Sequence, residues 1–159
     1  MGGGEVLIWA STAAPSDLLA IIRGFLLEAP LIGLNPAAKP WKLTVALGRL
    51  AAKVMPTMPL VQKLDASALS RDPVVCQAWL DDELCHDTGT LEQLAGMLDR
   101  VGDLDSGRTV MKEGLGEGGK TRLWLAHGSG DAVCDYDASR RWFDRAEVTD
   151  KEFKMYDGW

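Results

Sequence analysis

Asp131 stands where an open α/β sheet would display a catalytic carboxylate. The apolar run Leu123-Trp124-Leu125-Ala126 ends at His127, and Gly128 and Gly130 then turn the chain and deliver the acid. So short a run bounded by glycines reads as a buried strand rather than a helix. Ligands bind beyond the carboxyl ends of parallel strands, so an acid there can meet substrate. On spacing alone two readings stand level: a catalytic carboxylate, or a turn aspartate capping the next helix, a role that Asp135 could fill instead. His127, Ser129 and Asp131 also place all three hydrolytic triad types on one segment. Geometry argues against that cluster, because a triad histidine must bridge its partners through both ring nitrogens, whereas residues two apart on a strand stand side by side. His127 therefore reads as a structural residue at a strand end, and His86 as a helix-terminal or packing histidine. Gly114, Gly119, Lys120 and Thr121 match GxxxxGK[ST], the phosphate-cradling loop of nucleotide hydrolases. That loop must open a helix, and the residues after Thr121 read as a strand, so the match is taken as coincidental.

The elements that would hold Asp131 follow from periodicity. A helix is expected from about Gly3 to Thr12, its glycines allowing another backbone to approach closely. Strands are expected near 25–32, 122–126 and 153–156, all parallel, with a helix over Tyr136–Ala146 that buries Trp142 and Phe143. From Pro36 to about Asp105 the texture is helical with proline breaks and no strand signal. Within it Leu43, Ala46, Leu47, Leu50 and Val54 recur at helical spacing, Ser70 or Asp72 caps a helix opened by Pro73 and closed by Gly89, and Thr90 caps another. Residues 103–120 read as a long glycine-rich surface loop.

Composition narrows the class. The 159 residues are 47% hydrophobic with a net charge of −6, which fits a globular core and disfavours a nucleic-acid binder, since that needs a basic surface. Three cysteines without CxxC spacing suggest neither a disulfide framework nor a zinc site and point to a reducing compartment. No cofactor or metal is called for.

In order along the chain, MGGGEVL, LLEAPLIGLNP, LSRDPVV, DDELCHDTG, LAHGSGDAVCD and KMYDGW resemble the landmarks of the monoacylglycerol lipases, in the serine aminopeptidase-like branch of the α/β-hydrolase fold. The resemblance implies a partial α/β-hydrolase fold: C-terminal strands of a parallel sheet with flanking helices (residues 1–35 and 106–159), carrying a helical lid (residues 36–105). It implies that Asp131 is the triad acid. The family's elbow GHSMGG maps its last residues onto Met1, Gly2 and Gly3, so the nucleophilic serine would precede Met1, whose backbone amide would serve the oxyanion. The triad histidine would fall just beyond Trp159. The chain is accordingly expected to be the C-terminal half of a serine hydrolase acting on lipid esters of monoacylglycerol or lysophospholipid type, and inactive by itself. The resemblance further implies a cytoplasmic protein with peripheral membrane contact through the lid. Residues 103–120 depart from the family pattern in length and glycine content. Two other classes are carried: a non-catalytic remnant that pairs with another chain through the edge of the 25–32 strand, and a nucleotide binder using Gly114–Thr121.

Overall fold

The computed structural model describes residues 2–159. They form two units: one comprises the described residues up to Pro36 together with Arg100–Trp159, the other Ala37–Asp99. The first unit is built on a parallel sheet of three strands in the order β1-β4-β5, with β1 at Phe25–Glu28, β4 at Arg122–Gly128 and β5 at Asp150–Tyr156. Register puts Leu27 beside Leu125 and Leu125 beside Phe153, so one row of large apolar side chains crosses the sheet on a single face. Against that face lies a core holding Leu7 and Ala10 of α1 (Gly2–Thr12), Leu104 of α5 (Leu91–Asp105), and Trp142 and Phe143 of α6 (Tyr136–Arg145). The opposite face carries the row Leu26, Trp124 and Glu152, of which Leu26 is 68% exposed.

The three strands and their parallel sense agree with the periodicity, but their limits differ. β1 stops at Glu28 rather than near Ile32. Ala29 takes a positive φ of 41°, a region costly for a residue with a Cβ, and Pro30 has no N–H to continue a ladder. β4 and β5 run longer than expected, since they pair along their full seven residues.

The opening glycines of α1 serve close approach. A Cβ on Gly4 would lie 2.5 Å from the carbonyl oxygen of Leu31, while one on Gly2 would meet nothing within 4 Å. Alanine gains about 1 kcal/mol over glycine in a helix, but overpacking against an immovable backbone costs about 1–3 kcal/mol. Gly4→Ala is therefore expected to lower the urea midpoint and Gly2→Ala to leave it unchanged or raise it. Equal effects at both positions would remove the packing account.

The Ala37–Asp99 unit contains α3 (Lys42–Val54), a short 3-10 turn at Ala66–Ala68 and α4 (Pro73–Asp81). Against expectation it also contains two strands, β2 at Pro59–Val61 and β3 at Thr88–Thr90, paired antiparallel. Three residues each are too few for a periodic signal, so their pairing partner defines them. Gly89 consequently lies opposite Leu60 in β3, and α4 ends earlier, at Asp81. The expected caps are present: Asp72 accepts from the Val74 amide (2.8 Å). Thr90 and Gln93 exchange bonds, the threonine hydroxyl accepting from the Gln93 amide (3.2 Å) and the glutamine oxygen from the Thr90 amide (2.9 Å), a reciprocal capping box opening α5. On α3, Leu43, Leu47, Leu50 and Val54 form an exposed apolar row. No described helix is long and apolar enough to cross a membrane.

The 103–120 segment begins inside α5 and ends in an ordered loop that sends Met111 fully into the core.

Candidate active site

Asp131 lies in the turn that follows β4, and backbone donors hold it. One carboxylate oxygen, Oδ1, accepts from the amides of Val133 and Cys134, both at 2.8 Å. The residue's own carbonyl accepts from Asn35 Nδ2 (2.9 Å), and the Asn35 amide donates to the Val133 carbonyl (2.9 Å). The turn after β4 is thus tied to the segment after β1, as strand ends on a parallel sheet allow. Asp135 takes the capping role, accepting from the Asp137 amide at 3.0 Å as α6 begins. Asp131 is therefore not spent on the helix terminus.

The second oxygen, Oδ2, faces His127. Nε2 of that ring lies 3.4 Å away, and the Asp131 side chain remains 20% exposed. Across the ring, Nδ1 is 2.9 Å from the hydroxyl oxygen of Ser139 on α6. The imidazole is fully buried, with the Tyr136 ring edge-on to it at 6.0 Å. Burial pushes its pKa below the ordinary histidine value, outweighing the attraction of Asp131 that acts the other way. At pH 7 the ring is therefore neutral. The Cys134 thiol beside it is pushed up to about 11, first by burial and then by the Asp131 carboxylate, which makes it an inert thiol at neutral pH.

A histidine held neutral has a consequence for stability. Above the unfolded-state pKa near 6.5 neither state binds a proton at His127. As pH falls below it the unfolded chain takes one up and the folded chain does not, so stability is lost until the depressed folded pKa is reached. The slope is at most about 1.4 kcal/mol per pH unit for one proton. Thermal melts between pH 7 and 5 are expected to fall in step, and to fall less in His127→Gln. An unchanged acid limb in that variant would mean His127 is not held neutral.

Of the residues singled out from sequence, His127 and Asp131 come together and Ser129 does not. The Ser129 hydroxyl, in the turn beyond β4, donates to Asp157 (3.2 Å) and accepts from the Gly158 amide (2.8 Å). Ser139 is the residue that sequence reasoning missed. Its signal was a hydroxyl on the apolar face of α6, beside Ala138, Trp142 and Phe143, all buried. Ser139, His127 and Asp131 have the connectivity of a triad, but Ser139 has no exposed surface and His127 almost none, and a nucleophile must be reached by its substrate. His86 is exposed in the Ala37–Asp99 unit. Met1, whose amide was assigned to the oxyanion, lies outside the described residues.

The phosphate-loop alternative is overturned. Thr121 leads into β4, not a helix. Its hydroxyl donates to the Lys112 carbonyl (2.7 Å) and accepts from the Leu115 amide (2.9 Å), and its amide donates to the Glu113 carboxylate (3.2 Å). A carboxylate already occupies the position a phosphate would need, and no helix dipole faces it.

A protein-family model described as "Serine aminopeptidase, S33" matches residues 1–159. A monoacylglycerol lipase of Mycolicibacterium smegmatis is 28% identical over 165 residues, covering 99% of this chain and 51% of that protein. A relative in Schizosaccharomyces pombe is 27% identical over 158 residues, with 99% and 39% covered. Among solved structures, the monoacylglycerol lipase of Paleococcus ferrophilus superposes with a TM-score of 0.76 at 24% identity, over 98% of this chain and 55% of that one. A soluble variant of monoglyceride lipase from Saccharomyces cerevisiae, bound to a substrate analog, gives 0.79 at 22%, over 98% and 50%. The chain thus spans roughly two fifths to just over half the length of these four proteins, and it shares the α/β fold of the two solved structures, a parallel sheet flanked by helices.

Proposed function

Because the chain belongs to the serine aminopeptidase S33 family, we propose that it is the acid-bearing part of a serine hydrolase that cleaves lipid esters of monoacylglycerol or lysophospholipid type, with Asp131 as the triad acid. The observation that carries this reading is the state of the Asp131 carboxylate at the end of β4: one oxygen fixed by two amides, the side chain still partly exposed. A carboxylate so held keeps its direction for an incoming imidazole N–H, fixing the tautomer of the general base and stabilising the imidazolium formed when serine attacks the ester. The histidine and serine that the described residues place near Asp131 are buried out of a substrate's reach, so the nucleophile and base are assigned to other residues, and the Met1 amide to the oxyanion. Residues 36–105 act as the lid. The apolar row on α3 meets the acyl chain or a membrane surface, and the M. smegmatis relative's name supports the substrate class.

The test is a graft, with these 159 residues replacing the corresponding half of the M. smegmatis monoacylglycerol lipase. The graft should hydrolyse monoacylglycerol and react with a fluorophosphonate probe at the host's serine, while the 159-residue chain by itself should do neither. A graft with folded-state circular dichroism that takes up no probe would sink the reading, and labelling of Ser129 or Ser139 in the chain alone would move the nucleophile inside it.

One observation favours a second reading, association with another chain. β1 is paired on one side only among the described residues, and an unpaired strand edge is a template for further pairing.

A further inference from the structure

The pair His127 and Ser139 costs too much to be incidental. A buried imidazole and a buried hydroxyl have each given up water, and this pair sits directly behind the one carboxylate the proposed reaction uses. Two tautomers of the neutral ring are conceivable. With the proton on Nδ1, the bare lone pair of Nε2 would point at the Asp131 carboxylate from 3.4 Å, acceptor against acceptor. With the proton on Nε2, a donor rather than a lone pair stands 3.4 Å from Oδ2, and Nδ1 accepts from the Ser139 hydroxyl at 2.9 Å. Only the second arrangement sets a donor against the carboxylate while keeping the Ser139 bond. Nε2 makes no hydrogen bond in the structure, and the Asp131 carboxylate, 3.4 Å away, is the charged acceptor within its reach. Catalytic contacts of this kind are often long at rest and tighten when the site is assembled.

We propose that His127 and Ser139 are positioning residues for Asp131: the Ser139 hydroxyl fixes the imidazole as the Nε2–H tautomer, and that N–H restrains the carboxylate oxygen left free by the Val133 and Cys134 amides. The inference rests on the reading of Asp131 as the triad acid. It adds why a histidine stands at the end of β4. Two backbone amides anchor Oδ1 but leave the carboxylate free to swing about that anchor, and a third donor from the opposite side removes the freedom. A neutral donor does so without cancelling the negative charge that the base requires, and burial keeps the ring neutral. The groups facing it are the Asp131 and Asp135 carboxylates, the Cys134 backbone and the edge of the Tyr136 ring. None of these is a cation.

The chain has two histidines, so selective 15N labelling of the imidazoles gives two ring systems, and His86→Asn assigns them. Long-range proton–nitrogen correlation at pH 7 is expected to show His127 as the Nε2–H form, and Ser139→Ala, which removes one oxygen and little volume, to lose that preference. An Nδ1–H ring in the unchanged chain would overturn the inference, and so would an Nε2–H ring that persists unaltered in Ser139→Ala. A role in packing alone would leave the tautomer untouched. In the graft, His127→Leu should lower kcat by about 10- to 100-fold, the scale of losing one hydrogen bond to a charged group, with KM little changed, and His127→Gln, which keeps a side-chain N–H donor, should recover most of the loss. Loss in both variants alike, or in neither, would also count against it. An inactive graft with the expected tautomer would overturn the proposed reaction and leave the Ser139–His127 arrangement standing.

Discussion

Asp131→Asn in the graft will lower kcat on the order of 10⁴-fold, the scale of the same exchange in serine-protease triads, with KM nearly unchanged. The geometry explains why so small a replacement should cost so much. The two amides of Val133 and Cys134 both donate to Oδ1, so an asparagine will seat its carbonyl oxygen there and leave its NH2 where Oδ2 stands. That NH2 then faces the His127 N–H and, in the assembled enzyme, the N–H of the catalytic base, donor against donor. The base is left in the wrong tautomer to accept the serine proton. Because the change touches a group that acts in the transition state and not one that binds ester, kcat and kcat/KM should fall together. Steady-state kinetics on a correctly folded variant decides the point, and a loss below tenfold would mean that Asp131 is not the triad acid.

Trp142→Ala will destabilise the chain by about 4–6 kcal/mol. Trp142 has no exposed surface, and removing a buried tryptophan costs about 3–5 kcal/mol in lost burial and cavity. Its indole N–H also donates to the Thr109 carbonyl at 2.9 Å, so the variant leaves that oxygen short of a partner, at about 1 kcal/mol more. Total stability for a domain is only about 5–15 kcal/mol, so the variant should lose about a third or more of it and melt at a much lower temperature. Urea denaturation followed by circular dichroism is the measurement of choice, because five other tryptophans would blur a fluorescence signal. Trp142→Phe should recover part of the loss. If alanine costs less than 2 kcal/mol, α6 does not anchor this core.

What the sequence made legible was whatever the chain encodes locally. The run Leu123–Ala126 with its bounding glycines announced β4 and its turn, and Asp135 was recognisable as a cap that would release Asp131 from that duty. Tertiary causes stayed hidden. β2 and β3 are strands because they pair with each other, and three residues carry no period of their own. β1 ends at Ala29 through a backbone conformation that composition does not announce. Ser139 is eight positions from Asp131 and looks like any helix serine until α6 is laid against β4, when it meets His127. The glycine loop looked slack because its order depends on buried Met111 and on bonds that Thr121 closes back across the loop to Lys112 and Glu113, none of which has a periodic signature.

The register of the sheet also fixes an order of assembly. β4 and β5 pair Arg122 with Asp150, a loop of roughly 30 residues, while β1 and β4 pair Phe25 with Leu123, a loop of roughly 100, which costs about 1 kcal/mol more in closure entropy. The shorter closure is also the one that brings α6 and its tryptophan onto the sheet. β4, α6 and β5 are therefore expected to condense first, with β1 and α1 arriving as a late latch over a nucleus made from the last quarter of the chain. During synthesis α1 and β1 leave the ribosome about 100 residues ahead of the strand they need, and at a handful of residues per second they wait for their partner for many seconds. In that interval the edge of β1 that pairs with β4 stands open, and the hazard of misassociation falls there rather than on the finished fold.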